Sequence, residues 1–288
     1  MTDPNVTPSW YLIEEEEPRS GSFNMAADEW LLRQQSSGMV PTLRLYRWNR
    51  WTLSLGRNEK LDEEFDLDWC RQRNIVVLRR TTGGRAVLHG GDLTYSLIGC
   101  LQEPPFCGGP IETYELIAQG FYQFFEEIGL KPQIQERKAS APMESHVCFS
   151  APAAYELLLQ DRKVIGNAQR VITSGQYVPG QARSRSFLQH GSIPLQDQIP
   201  MLAGIFHKAT AAQLRREMIS LEATGCLSQF SQRELQDVLL EALSQAFGIQ
   251  WQRRSWTEEE LRGIARLQEE FQILDCLLYT SPSPRDRS

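Results

Sequence analysis

The segment Arg79-Arg80-Thr81-Thr82-Gly83-Gly84-Arg85 combines paired glycines with three arginines. Glycines carry no Cβ to keep a ligand from the backbone, and exposed N–H groups beside guanidinium groups suit an anion or a polar carbonyl. A plain hairpin turn with solvated arginines accounts for the same spacing. No Gly-Lys-Ser/Thr follows, so this is not a Walker loop, and no helix pattern follows, so it is not a dinucleotide fingerprint. Just beyond, His89 and Asp92 bracket Gly90 and Gly91, where a histidine is more often hydrogen-bonded scaffold than catalyst. Cys148 lies beside His146 on a Pro- and Ser-rich stretch before a strand pattern, a place where a thiol can reach solvent, although the default for one cysteine is a buried, inert thiol. Lys163 opens an apolar strand pattern, so its side chain should point inward on one face; the alternative is an exposed turn lysine. An amine near a thiol lowers the thiol pKa or takes its proton and makes it a nucleophile. The histidines His89, His146, His190 and His207 are too dispersed for a metal site, and none is expected.

The elements that must position these residues follow from periodicity. Strand patterns cover 11–13, 43–48, 53–55 and 75–78, and a brief helix covers 68–73. Asn24 is the expected cap of a first helix that turns Met25, Ala26, Trp30 and Leu31 to one face. From Arg79 to Leu97, short apolar runs alternate with glycine pairs, which reads as a β-meander. An amphipathic helix is expected over 111–128, with Tyr114, Ile117, Ala118, Phe121, Phe125 and Ile128 on its apolar face, and a mobile loop over 131–150. Strands follow over 154–159, 163–168 and 187–193, the first two joined by a turn at Gln160, Asp161 and Arg162. After Pro194 the pattern becomes helical, first over 199–221 and then behind a capping box at Ser231 and Glu234. In that last helix Leu235, Val238, Leu239, Ala242, Leu243 and Ala246 share a face. Strands in the middle and helices at the end make an α+β class.

A chain of 288 residues buries roughly three quarters of its unfolded surface and needs no disulfide or metal staple. With 41% hydrophobic and 23% charged residues it is globular, and no stretch approaches the roughly 18 uncharged apolar residues of a membrane span. No secretory signal is visible, so a cytoplasmic location is expected. A net charge of -6 argues against a general affinity for nucleic acid or an anionic membrane. The cysteines Cys70, Cys100, Cys107, Cys148, Cys226 and Cys276 are scattered without a CxxC, which favours reduced thiols. Residues 277–288 have no core-forming pattern and resemble a translated sequencing adapter; they are expected to be disordered and not native.

Several blocks occur together in order: Asn24-Met25-Ala26-Ala27-Asp28-Glu29, Leu55-Gly56-Arg57-Asn58, the run from Arg79 to His89, Asp92-Leu93-Thr94-Tyr95-Ser96, the run from Asp161 to Gln169, and Gln189-His190-Gly191-Ser192-Ile193. Through them, residues 10–195 resemble the lipoate-protein ligase A and octanoyltransferase superfamily, which shares its catalytic fold with biotin protein ligases. The resemblance implies a mixed, largely antiparallel sheet flanked by helices. It divides the chain into a catalytic acyl-transfer domain over 1–195, a helical C-terminal region over 196–276 packing on it, and the tail 277–288.

Two chemistries occur in that superfamily. Ligases activate free lipoate with ATP and Mg, whereas cysteine-dependent octanoyltransferases take octanoate from acyl carrier protein through an acyl thioester. The transferase branch places its cysteine before a Tyr-Glu-Leu strand, as Cys148 stands before Tyr155-Glu156-Leu157, and the block at Gln189 is similar to that branch. Gly56-Arg57-Asn58-Glu59 leans towards the ligases without completing their pattern.

The resemblance therefore implies an octanoyltransferase of lipoate biosynthesis that uses no cofactor. Cys148 would be its nucleophile and Lys163 its partner, with acyl carrier protein as donor and a lysine of a lipoyl domain or glycine-cleavage H protein as acceptor. An ATP-dependent lipoate ligase and a non-catalytic lipoate- or acyl-binding sensor are the alternatives. Arg80, Gly83, Gly84, Ala86, Val87 and His89 would contribute to substrate binding, with the strand 86–88 and the glycine turn lining an acyl tunnel. Backbone N–H groups of Gly166, Asn167 and Ala168 would hold the oxyanion. Arg79, Arg80, Arg85, Arg183 and Arg185 would form a basic rim that steers acidic protein partners.

Overall fold

A computed structural model describes residues 7–36, 38–135, 155–175 and 183–271. His146, Cys148, Cys276 and the tail 277–288 lie outside the described residues. From the N-terminus the elements run β1 (Ser9–Glu14), α1 (Gly21–Gln34), β2 (Thr42–Tyr46), β3 (Thr52–Leu55), α2 (Leu67–Gln72), β4 (Val76–Arg79), β5 (Val87–His89) and β6 (Asp92–Cys100). They continue with α3 (Pro110–Glu127), β7 (Pro132–Gln135), β8 (Glu156–Leu159), β9 (Arg162–Lys163), β10 (Gly166–Ser174) and β11 (Ser184–Pro194). The C-terminal third is helical, with α4 (Ile199–Ile205), α5 (Ala211–Glu217), α6 (Gln232–Phe247) and α7 (Glu258–Leu267), apart from β12 (Gln250–Arg253).

The main sheet has six strands in the order β10-β11-β6-β2-β1-β12. It is antiparallel from β10 to β2 and parallel where β1 meets β2 and β12, so the α+β class and the mixed, largely antiparallel sheet stand. Two three-stranded sheets, β4-β3-β5 and β7-β8-β9, complete the architecture. Among the described residues no helix is long and apolar enough to cross a membrane.

Alternation along the strands explains how the layers stack, because successive side chains point to opposite faces. In β6, Leu93, Tyr95 and Leu97 join Trp10, Leu12, Leu43, Leu45 and Phe187 in a core closed by Phe121, Phe124 and Phe125 of α3 and Leu235, Leu239 and Leu243 of α6. The opposite face is covered by α1, whose Leu31 and Leu32 pack on Ile98 and Leu188. That second face also carries Arg44, Tyr46, Thr94, Ser96, His190 and Ser192, all buried. A polar row on a buried strand must be hydrogen-bonded, and it is here that the site forms.

Five expectations change. Asn24 does not cap α1: the cap is Ser20, whose hydroxyl accepts from Phe23 N at 3.2 Å, while Asn24 is buried within the helix and donates to Arg47 O. The meander fails because β3 lies between β4 and β5, parallel to one and antiparallel to the other, and β6 leaves for the main sheet. Two parallel strands need a crossover, which α2 supplies. The strand expected over 163–168 breaks into β9 and β10, with Val164 and Ile165 buried between two sheets. The helix expected over 199–221 is two short helices, the second capped by Thr210. Within the loop expected over 131–150, residues 132–135 form β7, paired with β8, and residues 136–150 lie outside the described residues. The capping box at Ser231 and Glu234 is present.

Candidate active site

Where the small sheet β4-β3-β5 meets the α1 face of β6, β10 and β11, the described residues line a narrow pocket, open at one side, with a free volume of about 20 Å³. Met25, Tyr46, Trp48 and Val87 supply apolar surface, and Ser54, Arg80, His89, Thr94, His190 and Ser192 supply polar groups. Gly166, Asn167 and Ala168 form another wall. The structure thus brings together Arg80, Val87, His89, Gly166, Asn167 and Ala168. Gly83 and Gly84 are exposed on the turn, and Ala86 and Leu88 are buried in the small-sheet core without lining the pocket.

One hydrogen-bonded chain runs through the polar wall. His190 is 3.1 Å from Asp28 through Nδ1 and 2.6 Å from Thr82 Oγ1 through Nε2. Arg80 donates to Thr82 Oγ1 at 3.2 Å and to Ser54 Oγ at 3.4 Å. Ser54 Oγ is 2.9 Å from His89 Nε2, and His89 Nδ1 is 2.8 Å from Asp92. Two buried Asp–His pairs are therefore joined through two hydroxyls and one guanidinium. His89 also stacks on Trp48, with ring centroids 4.1 Å apart.

The charges of this chain follow from its surroundings. Burial alone raises a carboxyl pKa, but at Asp28 the Arg44 guanidinium and the His190 bond outweigh it and hold the group below the usual carboxylate range. Ser96 and Tyr46 also donate to Asp28, at 2.7 and 3.2 Å. Asp92 is held low in the same way, against burial, by His89 and by bonds from Gly90 N and Ser192 Oγ. At His190 burial prevails over Asp28 and pushes the imidazole below its usual value. A neutral His190 that donates from Nδ1 accepts at Nε2, so the Thr82 hydroxyl donates to it and accepts from Arg80.

Arg80 is a clamp within the turn rather than a rim residue. It is buried, and its guanidinium donates to the carbonyls of Ser54, Gly83 and Arg85 at 2.7 to 2.8 Å. Arg79 likewise donates to the carbonyls of Gly56 and Glu59. Arg183 and Arg185 remain exposed, and Arg85 is half-buried. The neighbouring Thr81 bonds to Glu29 of α1 at 2.5 Å, and Glu29 also takes Arg170 of β10 at 2.7 Å. Below the turn, a Cβ on Gly56 would stand 1.7 Å from Gly84 O, so the two loops touch backbone to backbone. Glu59 secures that contact by accepting from Gly56 N and Ala86 N.

Lys163 ends β9, three residues before the pocket wall at Gly166, and is buried as its inward-pointing reading requires. Its Nζ donates to Glu156 of β8 at 2.5 Å, and it does not line the pocket among the described residues. The contact between Lys163 and Cys148 expected from sequence falls outside the described residues. Sequence reading gave no site role to Tyr46, Trp48 or Ser54, and named Asp28, Glu29, Thr82 and His190 without assigning any of them individually to the site. For Tyr46 and His190 the available signal was the alternation of β2 and β11, seen also in β6, where polar residues occupy every second position of strands too apolar to be exposed; Asp28, Glu29, Trp48, Ser54 and Thr82 lie outside those strands.

The model of the lipoyl protein ligase A/B catalytic domain matches residues 20–244. The chain is 35% identical over 267 residues to octanoyltransferase LipM of Carboxydothermus hydrogenoformans, covering 90% of this chain and 94% of that one. It is 30% identical over 262 residues to octanoyltransferase LipM of Staphylococcus aureus, covering 86% and 91%. Among solved structures, lipoate-protein ligase A bound with ATP superposes with a TM-score of 0.69 at 21% identity, covering 91% of this chain and 95% of the other. A lipoate protein ligase from Thermoplasma acidophilum with bound lipoic acid gives a TM-score of 0.68 at 20% identity over 91% and 95%. Likeness at that identity speaks for the fold.

Proposed function

Because the chain belongs to the lipoyl protein ligase A/B catalytic domain family, we propose that it is an octanoyltransferase of lipoate biosynthesis, with Cys148 as nucleophile and octanoyl-acyl carrier protein as donor. The acceptor is a lysine of a lipoyl domain or of the glycine-cleavage H protein. The observation that carries this reading is the pocket, in which the apolar surface of Met25, Trp48 and Val87 meets the backbone of Gly166 to Ala168 three residues after Lys163. Relatives that carry the octanoyltransferase name along nearly the whole chain support it.

Cys148 enters as a thiolate beside the Lys163 ammonium. It attacks the donor thioester; the carbon–sulfur bond to Cys148 forms, the one to the donor breaks, and the donor thiol leaves with a proton from Lys163. The acceptor amine then attacks octanoyl-Cys148, a carbon–nitrogen bond replaces the carbon–sulfur bond, and the amine's proton returns to Lys163. Thioester exchange is nearly isoenergetic and amide formation is downhill, so no nucleotide is needed. The acyl chain is held by apolar burial of about 0.8 kcal/mol per methylene. As β10 is the edge strand of the sheet, alternate N–H groups of Gly166 to Ala168 point away from β11 and suit a developing oxyanion.

Incubation with octanoyl-acyl carrier protein without ATP, followed by intact mass measurement, tests this. The expected result is an octanoyl adduct that disappears in Cys148→Ser and passes to an added lipoyl domain. Modification of the lipoyl domain only from free lipoate and ATP would overturn it in favour of a ligase, and binding without transfer would favour a sensor.

A further inference from the structure

The β8–β9 hairpin pairs Leu158 with Lys163 and Leu159 with Arg162, around a turn whose two residues, Gln160 and Asp161, have φ of 53° and 58°. Two left-handed residues define the tight hairpin turn that fixes register. In that register Glu156 lies on the same face as Leu158 and diagonal to Lys163, within reach of a long side chain. The carboxylate and Nζ meet at 2.5 Å, and each side chain is 5% exposed.

The register of the hairpin is set without this ion pair. The turn sets the register, and Leu157, Leu159, Val164 and Ile165 anchor the hairpin and its exit in the main core. Taking two charges out of water is costly, and well-packed apolar residues in their place are often neutral or stabilising. An ammonium has three N–H donors, so fixing one of them sets where the others point. The lysine held in this way is the one assigned above as the partner of Cys148.

We propose that Glu156 is a positioning residue for acyl transfer, holding the Lys163 ammonium in place through the β8–β9 hairpin. The inference rests on the Cys148–Lys163 reading given above. Glu156 touches neither substrate nor thiol in this role and acts only through Lys163.

The test measures the single-turnover rate of octanoyl-adduct formation for Glu156→Gln and Glu156→Ala, alone and combined with Lys163→Ala. A misplaced ammonium should slow the reaction about 10- to 100-fold, with the half-saturating donor concentration within about twofold. In the Lys163→Ala background the Glu156 changes should cost nothing further, because residues that act as one unit are not additive. Losses that multiply in the double variants, or Glu156 variants at the wild-type rate, would overturn the proposal. Peptide mapping after brief amine labelling supplies a readout that does not depend on transfer. Lys163 should label several-fold faster in Glu156→Gln, which keeps the shape of the hairpin, and unchanged labelling would also overturn the proposal. A wild-type protein that forms no octanoyl adduct sinks the transferase reading instead, and the labelling comparison then decides whether Glu156 governs Lys163.

Discussion

The Thr82 hydroxyl stands 2.6 Å from Nε2 of His190, so the arginine- and glycine-rich turn of the small sheet is tied to a strand of the main sheet. His190 rests in turn on Asp28 of α1, and Thr81 rests on Glu29, the next residue of that helix. Two adjacent acidic residues of one helix therefore fix two adjacent threonines of the turn, one directly and one through an imidazole. The turn is preorganised before any ligand arrives.

Asp28 balances the fully buried Arg44, to which it is ion-paired. Asp28→Asn keeps the shape and removes the charge, leaving the guanidinium with Glu15 as its acidic partner among the described residues. Losing one side of a buried pair costs about 3–5 kcal/mol. A urea titration should show a loss of that order, and a loss below about 1 kcal/mol would contradict the account.

His190 sets a pH dependence of stability. Burial keeps its folded pKa below the usual histidine value of about 6.5, so below that pH the unfolded chain takes up a proton that the folded one refuses. Stability present at neutral pH is therefore lost as the pH falls from about 6.5 towards the folded pKa, by at most about 1.4 kcal/mol per pH unit. Asp28 and Asp92, held low, contribute only below about pH 4. Urea titrations at several pH values should give a shallower slope for His190→Gln than for wild type. Equal slopes would show that His190 does not titrate in this way.

Arg80→Lys keeps the charge and loses the planar fork that reaches the carbonyls of Ser54, Gly83 and Arg85. Buried acceptors left without a donor cost about 1–3 kcal/mol each. Amide hydrogen exchange over residues 80–86 should accelerate at least tenfold, an opening worth about 1.4 kcal/mol. Unchanged exchange there would remove Arg80 from its role as the clamp.

Gly56→Ala should separate the two loops, because the new Cβ would stand 1.7 Å from a backbone oxygen that no side-chain rotation can move. Overpacking of this kind costs about 1–3 kcal/mol. Gly83→Ala meets nothing within 4 Å and should change stability by less than about 0.5 kcal/mol. Thermal melts of the two variants check the contrast; equal shifts would mean that the backbone contact is not tight in solution.

Local patterns carried much of this protein. The 3.6-residue periodicity of 111–128 and the Ser231–Glu234 capping box needed no partner to be recognised, since each is satisfied within its own segment. The inward lysine at 163 followed from period-two alternation, and the Arg80 turn from its glycines and arginines. The family blocks were legible for the same reason, as short runs in a fixed order. Three things depended on residues far apart in sequence. Whether β4 pairs with β5 was settled by β3, which slots between them. Whether 163–168 is one strand was settled by two sheets competing for it. Whether Arg80 faces solvent or backbone was settled by carbonyls at 54, 83 and 85 converging on one guanidinium. Side-chain chemistry and periodicity are properties of a segment, but the partner of a buried polar group is chosen by how the layers close, and the chain from Asp28 to Asp92 exists only once α1 and both sheets have packed.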